Sequence, residues 1–269
     1  MNSESVEALV NKGNSLVDEG KFEEAIDFYN KALEIDPRDV VALANKGTAL
    51  DQLGRHEEAM QCFDKVLEIN PKDEEALNNK GGLLIRMGKY GEALNFFDKV
   101  LALNPHNFVT HYNKGLALGN LGRYEEAIKS YDEALKIAPD YALALYGKGI
   151  ALIDLASTLS CEKMITKMEE ALKLFESIWK IRDKIPDRGK QFQNTVAASS
   201  ADAFLLLVEK CGQKGIETAR KIKNFLYSVL DPQKYADFIE EIQLSVPADL
   251  KHYKEVIALL DEPHPKTKK

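Results

Sequence analysis

A spacing of 34 residues runs through the first half of this chain and sharply limits what it can fold into. Glycines recur at Gly13, Gly47, Gly81, Gly115 and Gly149, and a second glycine series at Gly20, Gly54, Gly88 and Gly122. Alanines follow the same register at Ala25, Ala59, Ala93 and Ala127, aromatics at Tyr29, Phe63, Phe97 and Tyr131, and prolines at Pro37, Pro71, Pro105 and Pro139. Five series in one register mark a stacked array of identical units rather than one closed core.

Each series has a physical task. Taking Val6, Val40, Glu74, Phe108 and Ala142 as position 1, the first glycine falls at position 8, inside a first helix (helix A). Glycine there costs about 0.5–1 kcal/mol against alanine. It is therefore expected where helix A and a second helix (helix B) touch, with the position-20 alanine as its counterpart. The position-15 glycine ends helix A, and the position-32 proline stops helix B. Segments such as Gly20-Lys21-Phe22-Glu23-Glu24-Ala25 open helix B with carboxylates against the positive end of its dipole.

These residues resemble the tetratricopeptide-repeat (TPR) family, whose pattern has Gly at 8, Ala at 20, an aromatic at 24, a small residue at 27 and Pro at 32. The likeness covers residues 6–139 strongly and 140–186 partly. Val66 and Val100 at position 27 depart from it, as do Leu9, Leu43, Leu77 and His111 at position 4, where a large aromatic is common. The resemblance implies an all-α fold, an α-α superhelix or solenoid with C-terminal capping helices. Four regular units are expected over 6–139 and a modified fifth over 140–186. A helical cap follows over 187–262, and a polar, disordered tail over 263–269. In the fifth unit Glu169-Glu170-Ala171 and Phe175 arrive ten residues late, so an insertion is expected to lengthen helix A, helix B or both. Ile185-Pro186 is its expected stop, and Asp231-Pro232 and Val246-Pro247 punctuate further short helices in the cap.

In this family helix A lines a concave groove, so the resemblance puts positions 2, 5, 6, 9, 12 and 13 on it. Position 6 is Asn11, Asn45, Asn79 and Asn113, with Gly147 breaking the series. Asparagine is a mediocre helix former, and its amide both donates and accepts, so a row of four can pair with the main chain of an extended peptide. The plainer alternative is that these amides bond between neighbouring helices, and one amide can do both. Asn14, Tyr112, Leu116 and Tyr146 are the further peptide-binding candidates. The early wall is polar, with Glu7, Asp18, Asp51, Gln52 and Glu75, and the later wall apolar, with Ile150 and Ile153 beside the tyrosines. C-terminal helices folding into that end would bury the apolar wall. A clamp for C-terminal carboxylates is not expected. Its two asparagines stand at Asn14 and Asn45, but Val10, Glu75 and Asn79 replace its cations. Lys12, Lys46, Lys80, Lys114 and Lys148 form a ladder at position 7, read as packed stems with ammonium groups reaching solvent.

Charge and composition narrow the function further. Residues 1–139 carry 16 Lys/Arg against 24 Asp/Glu, which repels phosphate backbones, so no nucleic acid is expected. No membrane partner is expected either, because the longest apolar run, Ala201 to Val208, contains Asp202 and is far too short. Three scattered cysteines, Cys62, Cys161 and Cys211, have no metal or redox spacing, and with a polar, acidic start they point to a cytoplasmic setting. The histidines (His56, His106, His111, His252 and His264) share no helical face at ligand spacing, and phosphate-loop and nucleophile-elbow motifs are lacking. No catalytic residue, metal or cofactor is expected. The reading is an adaptor or scaffold that binds a protein or peptide, as an extended segment or a partner helix. The alternative is a self-associating protein whose groove is filled by its own C-terminal helices or by a second copy, as a homodimer.

Overall fold

The structure is a computed structural model that describes residues 5–181, 189–230, 239–240 and 258–259. The described residues are helical, without a strand. Nine helices come first: α1 (Val6–Asp18), α2 (Phe22–Ile35), α3 (Val40–Gln52), α4 (His56–Ile69), α5 (Glu74–Arg86), α6 (Tyr90–Leu103), α7 (Phe108–Asn120), α8 (Tyr124–Ile137) and α9 (Ala142–Ser157). Then follow α10 (Cys161–Ile181), α11 (Gly189–Cys211), a 3-10 turn at Gly212–Gly215 and α12 (Ile216–Val229). The expected stop at Ile185-Pro186, most of the expected short helices after 230 and the tail lie outside the described residues. The chain forms two compact units, residues 1–122 and 123–269.

Local chemistry sets the helix boundaries. Ser5, Asp39, Asp73 and Asn107, also 34 apart, each accept a hydrogen bond from the backbone N–H three residues on and so cap α1, α3, α5 and α7. Tyr141 stands in that place before α9 and supplies no side-chain cap. Gly20, Gly54, Gly88 and Gly122 end their A helices with φ between +72° and +75°, a conformation that favours glycine. After the B helices, Asp36, Asn70 and Asn104 turn the chain by accepting from the backbone N–H of Arg38, Lys72 and His106.

The helix pairs are latched by one contact. A Cβ placed on Gly13, Gly47 or Gly81 would lie 2.5, 2.9 and 2.5 Å from the ring of Tyr29, Phe63 and Phe97. The position-24 aromatic, not the position-20 alanine, therefore makes the position-8 glycine necessary. The alanines Ala25, Ala59, Ala93 and Ala127 are fully buried without being its nearest neighbour. Gly149 meets Phe175 in the same way, at 2.4 Å, across the longer sequence gap. The ten extra residues lie in both helices of that pair. α9 has 16 residues against 13 in α1, and α10 has 21 against 14 in α2, while the turn between them is not lengthened.

Candidate functional site

Within residues 1–122 the asparagine row divides into two kinds. Asn45 donates its Nδ2 to Asn14 Oδ1 at 2.8 Å, and the same oxygen accepts the Tyr29 hydroxyl at 2.8 Å. Asn113 donates to Asn78 Oδ1 at 3.4 Å, which also accepts Thr110 Oγ1 at 3.0 Å. These amides therefore tie α3 to α1 and α7 to α5, and Asn45 and Asn113 each keep their own carbonyl oxygen for another donor. Asn11, exposed, and Asn79, half-buried, make no side-chain hydrogen bond among the described residues. Asn78 was not singled out by the 34-residue pattern. It stands in for the position-9 acceptor because that position holds Gly82 in the third repeat.

Tyr112 and Leu116 are half-buried on α7, and burial pushes the Tyr112 hydroxyl above its ordinary pKa. Burial first, and then the negative charge of Asp18, push Tyr29 up to about 12, so its hydroxyl stays protonated and donating. Asp51, expected on an open polar wall, is instead buried, its side chain only 6% exposed. Arg86 holds both its oxygens in a fork, and His56 Nδ1 lies 3.2 Å from one of them. A carboxylate facing the next A helix is stable under cover when a guanidinium there can pair with it.

The lysine ladder also differs from expectation. Lys80, Lys114 and Lys148 do not simply reach solvent but pair with Asp64, Asp98 and Asp132 on the preceding B helix, the last two at 2.6 Å. Lys12 lies 4.8 Å from the centroid of the Phe28 ring, and Lys80 5.0 Å from that of Phe96.

In the unit of residues 123–269 the corresponding face of α9 is occupied from within. The Tyr146 hydroxyl lies 3.0 Å from Ser199 Oγ on α11, and the Tyr146 ring stacks obliquely on Phe175 at 6.1 Å. Ile153 is 8% exposed, and Ile150 packs against the same cluster, which Val196, Phe204 and Leu207 of α11 complete. Gly147 interrupts the asparagine series because a Cβ there would lie 2.7 Å from the Tyr131 ring. Tyr146 is thus an internal contact of this unit, whereas the other seven peptide-binding candidates lie in residues 1–122. Cys161 and Cys211, which carry no spacing motif, are brought together. The Cys211 thiol donates to the Cys161 carbonyl oxygen at 3.7 Å, and burial, helped by the Cys161 side chain, pushes it up to about 12. All three cysteines are free.

Among the described residues no three His, Cys, Asp or Glu side chains gather as metal ligands, and no helix is long and apolar enough to cross a membrane. The His111 Nε2 lies 2.9 Å from the Pro105 carbonyl, whereas His252 and His264 lie outside the described residues.

The tetratricopeptide-repeat family matches at residues 16–79, 74–107 and 108–141. No curated protein matches the sequence. Among solved structures the chain is similar to MamA (residue 41 to its end) from Desulfovibrio magneticus RS-1, at 21% identity and a TM-score of 0.58, over 70% of this chain and all of that one. A MamA RS-1 double mutant aligns at 23% identity and a TM-score of 0.56, over 66% of this chain and 98% of that one. YrrB, described as a TPR protein with an unusual peptide-binding site, aligns at 24% identity and a TM-score of 0.53, over 64% of this chain and 88% of that one. These likenesses establish the fold, an all-α solenoid of paired helices. The family match over residues 16–141 makes that stretch a run of tetratricopeptide repeats, and the glycine–aromatic latches of Gly47 with Phe63 and Gly81 with Phe97 fall within it in the same register.

Proposed function

We propose that residues 1–122 bind an extended peptide of a partner protein, and that the chain works as an adaptor rather than an enzyme. One observation carries the reading: the asparagine row holds Asn45 and Asn113 by their N–H groups and leaves Asn11 and Asn79 without a partner among the described residues. Fixed amides lose little rotamer freedom when a main chain docks, which favours sequence-tolerant binding. Tyr112, Leu116 and Asn14 supply the side walls. The fold likeness to YrrB is consistent with peptide binding but does not carry it. A reducing, cytoplasmic setting suits the three free thiols.

The test is a pull-down with the full chain, followed by titration of the captured segment as a synthetic peptide. Replacing Asn11 and Asn79 together by alanine removes no inter-repeat hydrogen bond. It is expected to weaken peptide binding by about tenfold, the scale of one or two lost hydrogen bonds. Unchanged affinity in that double variant would sink the ladder.

A second reading rests on Tyr146. Because α11 already covers the α9 face, the chain fills part of its own binding surface, and the C-terminal helices act as a built-in occupant. Occupation by a second copy is the variant of this reading that light scattering decides: a mass that doubles with concentration supports a homodimer, and a constant monomer mass excludes it.

A further inference from the structure

We propose that the recess between α1, α2 and α3 takes an arginine side chain of the bound peptide, with Asp18 as its counter-ion. This rests on the peptide-binding reading and adds the chemistry of the ligand.

The recess holds about 230 Å³ and is lined by Asn14, Val17, Asp18, Phe22, Asn45 and Thr48, with Tyr29 and Ala49 at its base. Its internal bonds leave it rich in acceptors. Asn14 Oδ1 is used twice, by Tyr29 and Asn45, which leaves the Asn45 carbonyl oxygen free to accept. Thr48 donates its proton to the Ala44 carbonyl at 3.1 Å and keeps its lone pairs. Asp18 makes no ion pair or hydrogen bond among the described residues. Its nearest basic neighbour in sequence, Lys21, is paired with Glu19 at 2.7 Å. The unused donors on the lining are neutral amide N–H groups, two on Asn14 and one on Asn45, and an anion reaching them would face the Asp18 carboxylate on a lining that holds no cation. A wholly apolar group would bury Asp18 and the Asn45 oxygen without partners, which is costly.

A side chain with an apolar stem and a donor-rich cationic head matches both the apolar walls and the acceptors, Asp18 first among them. Val17, Ala49 and Phe22 take the stem, and Asp18, Asn45 and Thr48 take the head. Arginine fits better than lysine. Its planar guanidinium presents five N–H donors, can lie against an aromatic ring such as Phe22, and is less strongly hydrated than an ammonium. The field agrees. Asp18 already acts on the Tyr29 hydroxyl at the base of the recess, and residues 1–122 carry 20 Asp/Glu against 13 Lys/Arg, which draws a basic segment toward this unit.

The experiment is an NMR titration of the full chain with Nα-acetyl-arginine amide at low salt, following the Asn14 and Asn45 side-chain amide signals. Nα-acetyl-lysine amide and the neutral isostere Nα-acetyl-citrulline amide serve as parallel probes. Saturable shifts are expected with the arginine probe. Affinity is expected to fall by about tenfold or more for citrulline and for the Asp18→Asn variant, the loss typical of a charge-assisted hydrogen bond. Lysine is expected to bind more weakly than arginine. No saturable shift, equal binding of citrulline, or unchanged binding by Asp18→Asn overturns the proposal, and lysine binding as tightly as arginine overturns the choice of arginine. Asp18 is exposed, so its variant should melt as the parent does. Neither Asn11 nor Asn79 lines the recess, which keeps the two ideas separable. A partner peptide released by the double asparagine variant while the arginine probe fails to bind refutes only the recess. A peptide retained by that variant while the probe binds refutes only the ladder.

Discussion

Residues 1–122 and 123–269 are built on the same latch and put it to different use. In the first unit Gly81 receives Phe97, and in the second Gly149 receives Phe175, each ring seated where a Cβ would stand. Around that shared contact the first unit keeps short helices, and asparagine amides tie its A helices in two pairs, α1 with α3 and α5 with α7. The second unit lengthens both helices of the pair and turns the freed surface inward onto α11. The difference shows that the latch fixes how two helices pair but not what their remaining faces do. Those faces are decided by what else is within reach: the next A helix in one unit, a C-terminal helix in the other. Charge follows the same division, because the net charge of −7 belongs to residues 1–122 and residues 123–269 balance at 23 of each sign.

The comparison breaks first at the rings. Phe97→Ala and Phe175→Ala each remove a fully buried aromatic and should cost about 3–5 kcal/mol in urea melts followed by circular dichroism. Similar losses would support a common latch, and a loss below about 1 kcal/mol at Phe175 would show that the long pair is held elsewhere. Gly81→Ala should cost about 1–3 kcal/mol because its Cβ meets the Phe97 ring. The neighbouring Gly82→Ala should instead stabilise by about 0.5–1 kcal/mol, since a Cβ there meets nothing within 4 Å in a helix interior. Opposite signs at adjacent glycines are a sharp test of close approach against helix propensity.

Tyr146→Phe should cost about 0.5–1.5 kcal/mol and raise hydrogen exchange along α11, because it removes the 3.0 Å bond to Ser199. Unchanged exchange there would argue that apolar packing alone holds α11. The smallest effect belongs to the Glu169–Lys221 pair between α10 and α12, 2.7 Å apart and well exposed. The hydrogen bond from Lys221 lowers the Glu169 pKa, against a smaller opposing effect of burial. A depressed carboxylate pKa contributes stability that is present above the unfolded value and lost as pH falls through the folded one. Lys221→Met should therefore cost less than about 1 kcal/mol at neutral pH, with the difference from the parent vanishing below the ordinary carboxylate range in acid melts.

Much of this was legible in the sequence because it repeats. The Gly, Ala, aromatic and Pro series located the helix pairs, and the late arrival of Phe175 gave the length of the insertion. One legible series went unread: Ser5, Asp39, Asp73 and Asn107 carry the same period and an N-capping chemistry that marks each helix start. Others were not legible. Asn78 becomes an acceptor because Gly82 leaves the position-9 place without one, a relation between neighbouring helices rather than within a repeat. Arg86 reaches back to Asp51 across 35 residues, and Cys211 reaches Cys161 across 50, with no periodic trace.

The sequence by itself determined the local frame: which segments are helices, where each begins and ends, and which side of each helix must accept a ring. These depend on backbone sterics, capping and burial, which a short window of residues carries. Only the tertiary structure decided which polar groups are already engaged and which remain for a ligand. It put Tyr146 against Ser199, closed Arg86 on Asp51, and left Asn11, Asn79 and Asp18 unengaged among the described residues. The physical reason is that a hydrogen bond between distant residues depends on atoms meeting within a few tenths of an ångström, and that distance is set by packing rather than by spacing along the chain.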